Sequence, residues 1–208
     1  MRRKTLDALL TAGGGVLFVV LLLVGILALV GYNFDNNMVT NQLAAQKITF
    51  PTASALAKPD GSEITTAMKT TLGPYAGKQL LNGDEAKAYA DNFIGVHLSH
   101  MIGGGVYSVA GGVSRKAAAA AKADPTNAAL QATATKDASQ YASIFQGTTL
   151  RSMLLEAYGF WLIGQIALWV SVAAFILAGL MVVFVALGAI HARRTAPTEV
   201  VKALSTAA

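Results

Sequence analysis

Two stretches of this chain carry no lysine, arginine, aspartate or glutamate: Ala8 to Phe34 and Ala157 to Ala192. No other feature restricts its folding as strongly. Each is longer than the ~20 apolar residues a helix needs to cross a ~30 Å hydrocarbon layer, in which backbone N–H and C=O groups must be satisfied within the segment. The 208 residues are only 13% charged, about half the share of an ordinary soluble domain, and the deficit lies in these windows. They predict transmembrane helices at 12–33 and 159–190 around a polar middle, 34–158, with terminal segments 1–11 and 191–208.

Charge predicts the orientation. Arg2, Arg3 and Lys4 precede the first window, and Arg193, Arg194 and Lys202 follow the second. Short basic flanks remain cytoplasmic, and two spans return the chain to its starting side. Both ends therefore predict cytoplasmic termini and a central domain outside. The middle holds ten Lys/Arg against nine Asp/Glu, the flanks six against two. The positive balance thus belongs beside the membrane, where Arg2, Arg3, Lys4, Arg193 and Arg194 suit anionic lipid headgroups. It offers nucleic acid no surface. Tyr32, Phe34, Tyr158, Phe160 and Trp161 fit the outer aromatic belt. The apolar run Val16 to Val30 could also serve a secretory signal, but no Ala-x-Ala cleavage pattern follows, and an uncleaved anchor is expected. With no cysteine in the chain, an outer domain must hold together without disulfides.

The middle reads as helices broken by turns. The first span continues over 35–48 and ends before Phe50-Pro51. A loop runs to about Ser62, and short helices follow over Glu63–Leu72 and Tyr75–Leu81, stopped by Gly73-Pro74 and Asn82-Gly83. Asp84 is the expected N-cap of a helix over Glu85–Met101. Further helices are expected over Val106–Ala123 and 126–145, with a last one from Thr148 into the second span. Alanine is abundant and alternating β-branched runs are few. The expected class is all-α, two transmembrane helices flanking an extracytoplasmic helical domain.

The stretch "GVHLSHMIGGG", residues 95–105, is the one place that suggests chemistry. Ala86, Tyr89, Ala90, Phe93, His97 and Met101 recur at helical spacing and should face a core. His97 and His100, three apart, could together reach one metal ion. A metal site needs a third ligand, and the middle has no other histidine; Asp84, Glu85 or Asp91 would have to be brought round by the fold. The sequence therefore assigns no metal, no cofactor and no catalytic residue, and leaves His97 and His100 as candidate ligands. The glycines lack the preceding strand and following lysine of a phosphate loop, and Gly103 is expected to cap a helix. No nucleophile elbow is present. The spans hold no ionisable residue away from their ends, unlike most transporters.

A positive signal lies in the second span. Gly164, Ala167, Ser171, Ala174 and Ala178 recur at intervals of three and four, a seam of small residues that lets helix backbones approach in lipid. Its partner is either the first span, through Gly25 and Ala28, or another subunit. Gln165 and Ser171 suit hydrogen bonds between helices.

The blocks "MRRKTLDALLTAGGG", "GPYAGKQLLNGDEAKAYADNFIGVHL" and "FQGTTLRSMLLEAYGFW" resemble a group of two-span actinobacterial membrane proteins that often carry the automatic label of aromatic ring-opening dioxygenase. The resemblance covers nearly the whole chain and implies a multi-pass protein of a bacterial plasma membrane. The label would imply iron held by two histidines and a carboxylate around an open position, toward which only His97 and His100 are on offer. The residues themselves favour a non-enzymatic structural or accessory protein. It would contact membrane lipids and self-associate as a homo-oligomer or join other membrane subunits. A lipid- or metal-binding protein acting around Tyr89, Phe93, His97 and Met101 is the alternative, and an iron dioxygenase the second.

Overall fold

The computed structural model describes residues 2–57 and 65–196. The expected helix start at Glu63, Lys202 and the last part of the terminal segment lie outside these residues. The helices are α1 (Arg3–Gln46), α2 (Ala53–Ala57), α3 (Thr66–Leu72), α4 (Gly83–Tyr89), α5 (Gly95–Ser99), α6 (Tyr107–Ala123) and α7 (Ala128–Arg194). A π-helical turn, Ala90–Ile94, joins α4 to α5, and 3-10 turns occupy Gly73–Tyr75 and Ile102–Gly105. Among the described residues there is no strand, only a bridge between Thr49 and Gln79. The chain divides into two compact units, one from 1–34 with 163–208 and one from 35–162.

In the first unit, α1 and α7 are long and apolar enough to cross a membrane. They pair along one stripe each. On α1 the stripe runs through Thr11, Gly14, Phe18, Leu21, Gly25 and Ala28; on α7 it runs through Gly164, Ala167, Ser171, Ala174, Ala178, Met181, Val185 and Gly188, all buried or partly buried. These intervals alternate between three and four residues, an average of 3.5. That period keeps two helices in register only if they wind left-handed about each other. Large apolar side chains cover the other faces, with Leu27 70% and Trp169 71% exposed. Surfaces of that kind suit hydrocarbon surroundings rather than water.

The second unit has a single apolar core. Val39 and Leu43 of α1 meet Phe50, Leu56, Met68, Leu72, Leu80, Ala86, Ile94, Leu98 and Ile144 there. Met68, Leu72, Leu80 and Ile144 are fully buried. Four local expectations are corrected. Residues 75–81 are not a helix: Gly77 adopts φ +71°, which ends helical geometry. The chain beyond it lies extended against 48–51, through Phe50 N–H to Lys78 C=O at 2.9 Å and Leu80 N–H to Ile48 C=O at 2.9 Å. The N-cap of α4 is Asn82, not Asp84. Asn82 Oδ1 accepts from Glu85 N–H at 3.0 Å, and Glu85 returns the bond to the Asn82 N–H, a reciprocal box that satisfies two otherwise unpaired donors. Gly103 caps no α-helix, since α5 already stops at Ser99 and Gly103, Gly104 and Gly105 all turn at positive φ. No break separates 145 from 148. α7 runs straight through Gly147, whose missing side chain leaves room for Leu98. Trp161, assigned from sequence to the aromatic belt, packs against Gly83 in this unit.

Candidate functional site

The histidines come first. The Nδ1 of His97 lies 2.7 Å from the Phe93 carbonyl oxygen. Because that oxygen can only accept, Nδ1 carries the proton and Nε2 is left as an acceptor in the neutral ring. The ring packs on Phe93 at 4.4 Å and continues a run of aromatic contacts through Tyr89 and Phe50 to Tyr75. His100 is exposed on the turn that closes α5. Among the described residues no group of three His, Cys, Asp or Glu is placed to share a metal. The structure therefore gives His97 a packed, hydrogen-bonded place, and brings none of Asp84, Glu85 or Asp91 to the pair.

The expected core stripe shifts partway along. Ala86 and Ala90 are fully buried as anticipated, but the line continues through Ile94 and Leu98, leaving Tyr89, Phe93, His97 and Met101 only partly buried against the core. The π turn is the reason. Gly95 N–H bonds to the Ala90 carbonyl five residues back, which inserts one extra residue and rotates everything after it by one position. The periodicity expected from an unbroken α-helix therefore fails beyond residue 90.

That turn is held from outside. Arg151 of α7 donates from Nε to the Ala90 carbonyl at 3.2 Å and from Nη2 to Asp91 Oδ1 at 2.8 Å. Lys87 Nζ pairs with the other Asp91 oxygen and lies 5.6 Å above the Tyr158 ring. The Arg151 guanidinium thereby ties α7 to the turn that follows α4. Hydrogen bonding by Lys87, followed by that of Arg151, holds the Asp91 carboxyl below its ordinary 3.8, against the opposing effect of burial. A depressed carboxylate stabilises the fold above the unfolded value, and that contribution disappears as pH falls through the folded one. Near neutral pH, Asp91→Asn should therefore be less stable than the parent in thermal unfolding of the detergent-solubilised chain, and the two curves should converge below about pH 4. A gap of constant size across that range would mean the ion pairs contribute nothing.

A second cluster lies on the same unit. Tyr107 of α6 stacks on Tyr141 of α7 at 5.0 Å and meets Phe145 at 5.8 Å. The neighbouring Tyr107 phenol raises that of Tyr141 above its ordinary 10.0. Tyr107 is 46% and Phe145 55% exposed, with Val106 and Val109 exposed beside them. Tyr107 is more than thirty positions from Tyr141 and Phe145 in sequence, so no local periodicity announces the patch.

In the span unit the seam residues meet within the chain. Ser171 Oγ donates to the Gly25 carbonyl at 2.9 Å, and Ser171, Ala174 and Ala178 are buried. Gly164 is buried too, while Ala167 and Ala28 are partly buried. Toward the chain ends a cleft of about 210 Å³ lies beside the packed helices, lined by Asp7, Leu10, Thr11, Gly14, Met181, Phe184, Val185, Gly188 and His191. The sequence reading did not include Asp7, Thr11 or His191 among its candidates. Their signal was faint but present: Asp7 is the one acidic residue in the first 34, and Thr11 and Gly188 extend the 3.5-residue stripes toward the chain ends. The chain matches no family model, no curated protein and no solved structure.

Proposed function

We propose that this is a two-span accessory membrane protein of a bacterial plasma membrane, non-enzymatic, with both termini cytoplasmic and its helical domain outside, and that it works by binding another protein chain through that domain. The observation that carries the reading is the exposed apolar face of α6 and the start of α7, formed by Val106, Tyr107, Val109, Val113 and Phe145. Exposed aromatic groups beside aliphatic ones, on helices otherwise rich in polar and alanine residues, are the composition of a protein interface. The charged groups of the domain that are brought together, Lys87 and Arg151, pair with the one carboxylate of Asp91. The near balance of charge between 35 and 158 leaves little repulsion to oppose a second copy, so self-association is included in the reading.

The test is site-specific photocrosslinking in intact cells. A benzophenone side chain at Tyr107 or Phe145 should give one discrete protein adduct of defined mass, and the same group at exposed Thr133 on α7 should give none. Tyr107→Ala with Phe145→Ala should weaken the association at least about tenfold, since buried aromatic anchors dominate interfaces. Crosslinks to lipid alone, or the same smear from all three positions, would overturn the reading.

A further inference from the structure

The cleft at the chain ends of the span unit holds a carboxylate that its own neighbours serve poorly. Asp7 is mostly shielded, with 16% of its side chain exposed. Thr195 Oγ1 lies 3.3 Å from its Oδ2, but the same hydroxyl lies 3.0 Å from the His191 carbonyl, and one proton cannot serve both well. The Thr11 hydroxyl is spent on the Asp7 backbone carbonyl at 2.8 Å. His191 Nε2 is 3.7 Å away, beyond a good hydrogen bond, on a ring that is more than half exposed. A carboxylate at the edge of hydrocarbon is costly unless a cation or several donors meet it. Below it the wall is apolar, made by Leu10, Gly14, Met181, Phe184 and Val185.

We propose that this cleft binds a phospholipid with a primary ammonium headgroup, of the ethanolamine class. Its ammonium sits on Asp7, and part of one acyl chain lies along Leu10, Met181 and Phe184. A primary ammonium supplies three N–H donors and a positive charge in one compact group, more than Thr195 and His191 give Asp7 among the described residues. A volume of about 210 Å³ is below the ~300–1,000 Å³ of a site that encloses a whole small ligand, and fits one end of an amphiphile whose remainder stays in the bilayer. The proposal rests on the reading of α1 and α7 as membrane spans and is independent of the face at Tyr107 and Phe145.

The experiment is native mass spectrometry of the full-length chain in detergent, titrated with dioleoyl phosphatidylethanolamine, phosphatidylcholine or phosphatidylglycerol. The parent should retain the ethanolamine lipid at least about tenfold more tightly than the choline lipid, whose quaternary head donates no N–H. Asp7→Asn, nearly identical in shape, should erase that preference without weakening the choline lipid. Leu10→Trp, at an exposed position that fills the apolar wall, should weaken both. Equal retention of ethanolamine and choline lipids, or a preference between them that survives Asp7→Asn, each overturns the site; retention of the glycerol lipid reports on the basic flanks Arg2, Arg3, Lys4, Arg193 and Arg194. So does a lipid-free dimer lost in Leu10→Trp, which would give the cleft to a second copy. Resistance of the same variants to alkaline extraction from membranes reports separately on the spans. Crosslinking at Tyr107 reports separately on the outer face.

Discussion

Gly105→Ala is expected to destabilise the second unit, 35–162, by about 3 kcal/mol or more, near the upper end of what one added methyl group does. Two costs combine. Gly105 sits at φ +72°, where a side chain costs about 1–2 kcal/mol. A Cβ there would also strike the Leu98 carbonyl oxygen and stand 2.6 Å from its carbon. A flexible side chain could swing away, but a backbone carbonyl at the end of α5 cannot move alone. It would carry Leu98, a buried core residue, out of its place against Gly147. Against a total stability of about 5–15 kcal/mol, the change should lower the melting temperature by roughly 10 °C, read by circular dichroism of the full chain in micelles. Gly104→Ala is the control. Its φ is nearly the same, +63°, with no atom within 4 Å of the added methyl, so it should lose only the backbone part, about 1–2 kcal/mol. Equal losses in the two variants would refute the close approach at Leu98.

This comparison shows where the sequence was readable and where it was not. The three glycines signalled the end of a helix at Gly103; the helix ends earlier, at Ser99, and the glycines turn at positive φ beyond it. Which of them lies against another helix depended on where Leu98 ended, and that was decided by the π turn. The extra residue at Ala90–Ile94 is stabilised by Arg151, about sixty positions away, so local periodicity could not reveal it. For this reason the buried line was legible through Ala86 and Ala90 and misplaced by one at Phe93 and His97. The same limit explains Tyr75–Leu81. Its residues tolerate a helix, but Leu80 is drawn into the core and its N–H to Ile48, a tertiary demand that overrides local propensity. By contrast, long apolar runs and small-residue spacing are properties of a single segment. They were legible because two helices long and apolar enough to cross a membrane carry that pattern within one continuous segment each. Asp7 escaped notice because one carboxylate near a basic terminus has no pattern. Its meaning comes from Thr195, at the far end of the chain.

Gly25→Val should separate the two spans, and the effect should be reversible by a second substitution. A Cβ at Gly25 would lie 2.8 Å from the Phe175 ring, and valine adds two methyl groups beyond it. Moving the helices apart would stretch the Ser171 hydroxyl away from the Gly25 carbonyl, 2.9 Å off in a buried contact. Overpacking costs about 1–3 kcal/mol, and an interhelical hydrogen bond in lipid about 0.6–2, so a total of about 2–3 is expected. The chain has no cysteine, which permits a clean readout. Gly14→Cys with Val185→Cys should crosslink rapidly under mild oxidation, because a Cβ at Gly14 would lie 3.0 Å from the Val185 side chain. Adding Gly25→Val should slow that reaction by roughly 30- to 100-fold, the equivalent of the energy lost. Adding Phe175→Ala as well should restore most of the rate, since it removes the ring that the valine strikes. Rescue ties the loss to this one contact, whereas general misfolding would not be repaired by a second truncation. An unchanged rate in Gly25→Val would mean that the seam does not join the spans of one chain and remains open to another subunit. If the rate falls and is rescued, the seam is occupied within each chain, and association with other proteins must rely on other surfaces, of which the face at Tyr107 and Phe145 is the strongest candidate.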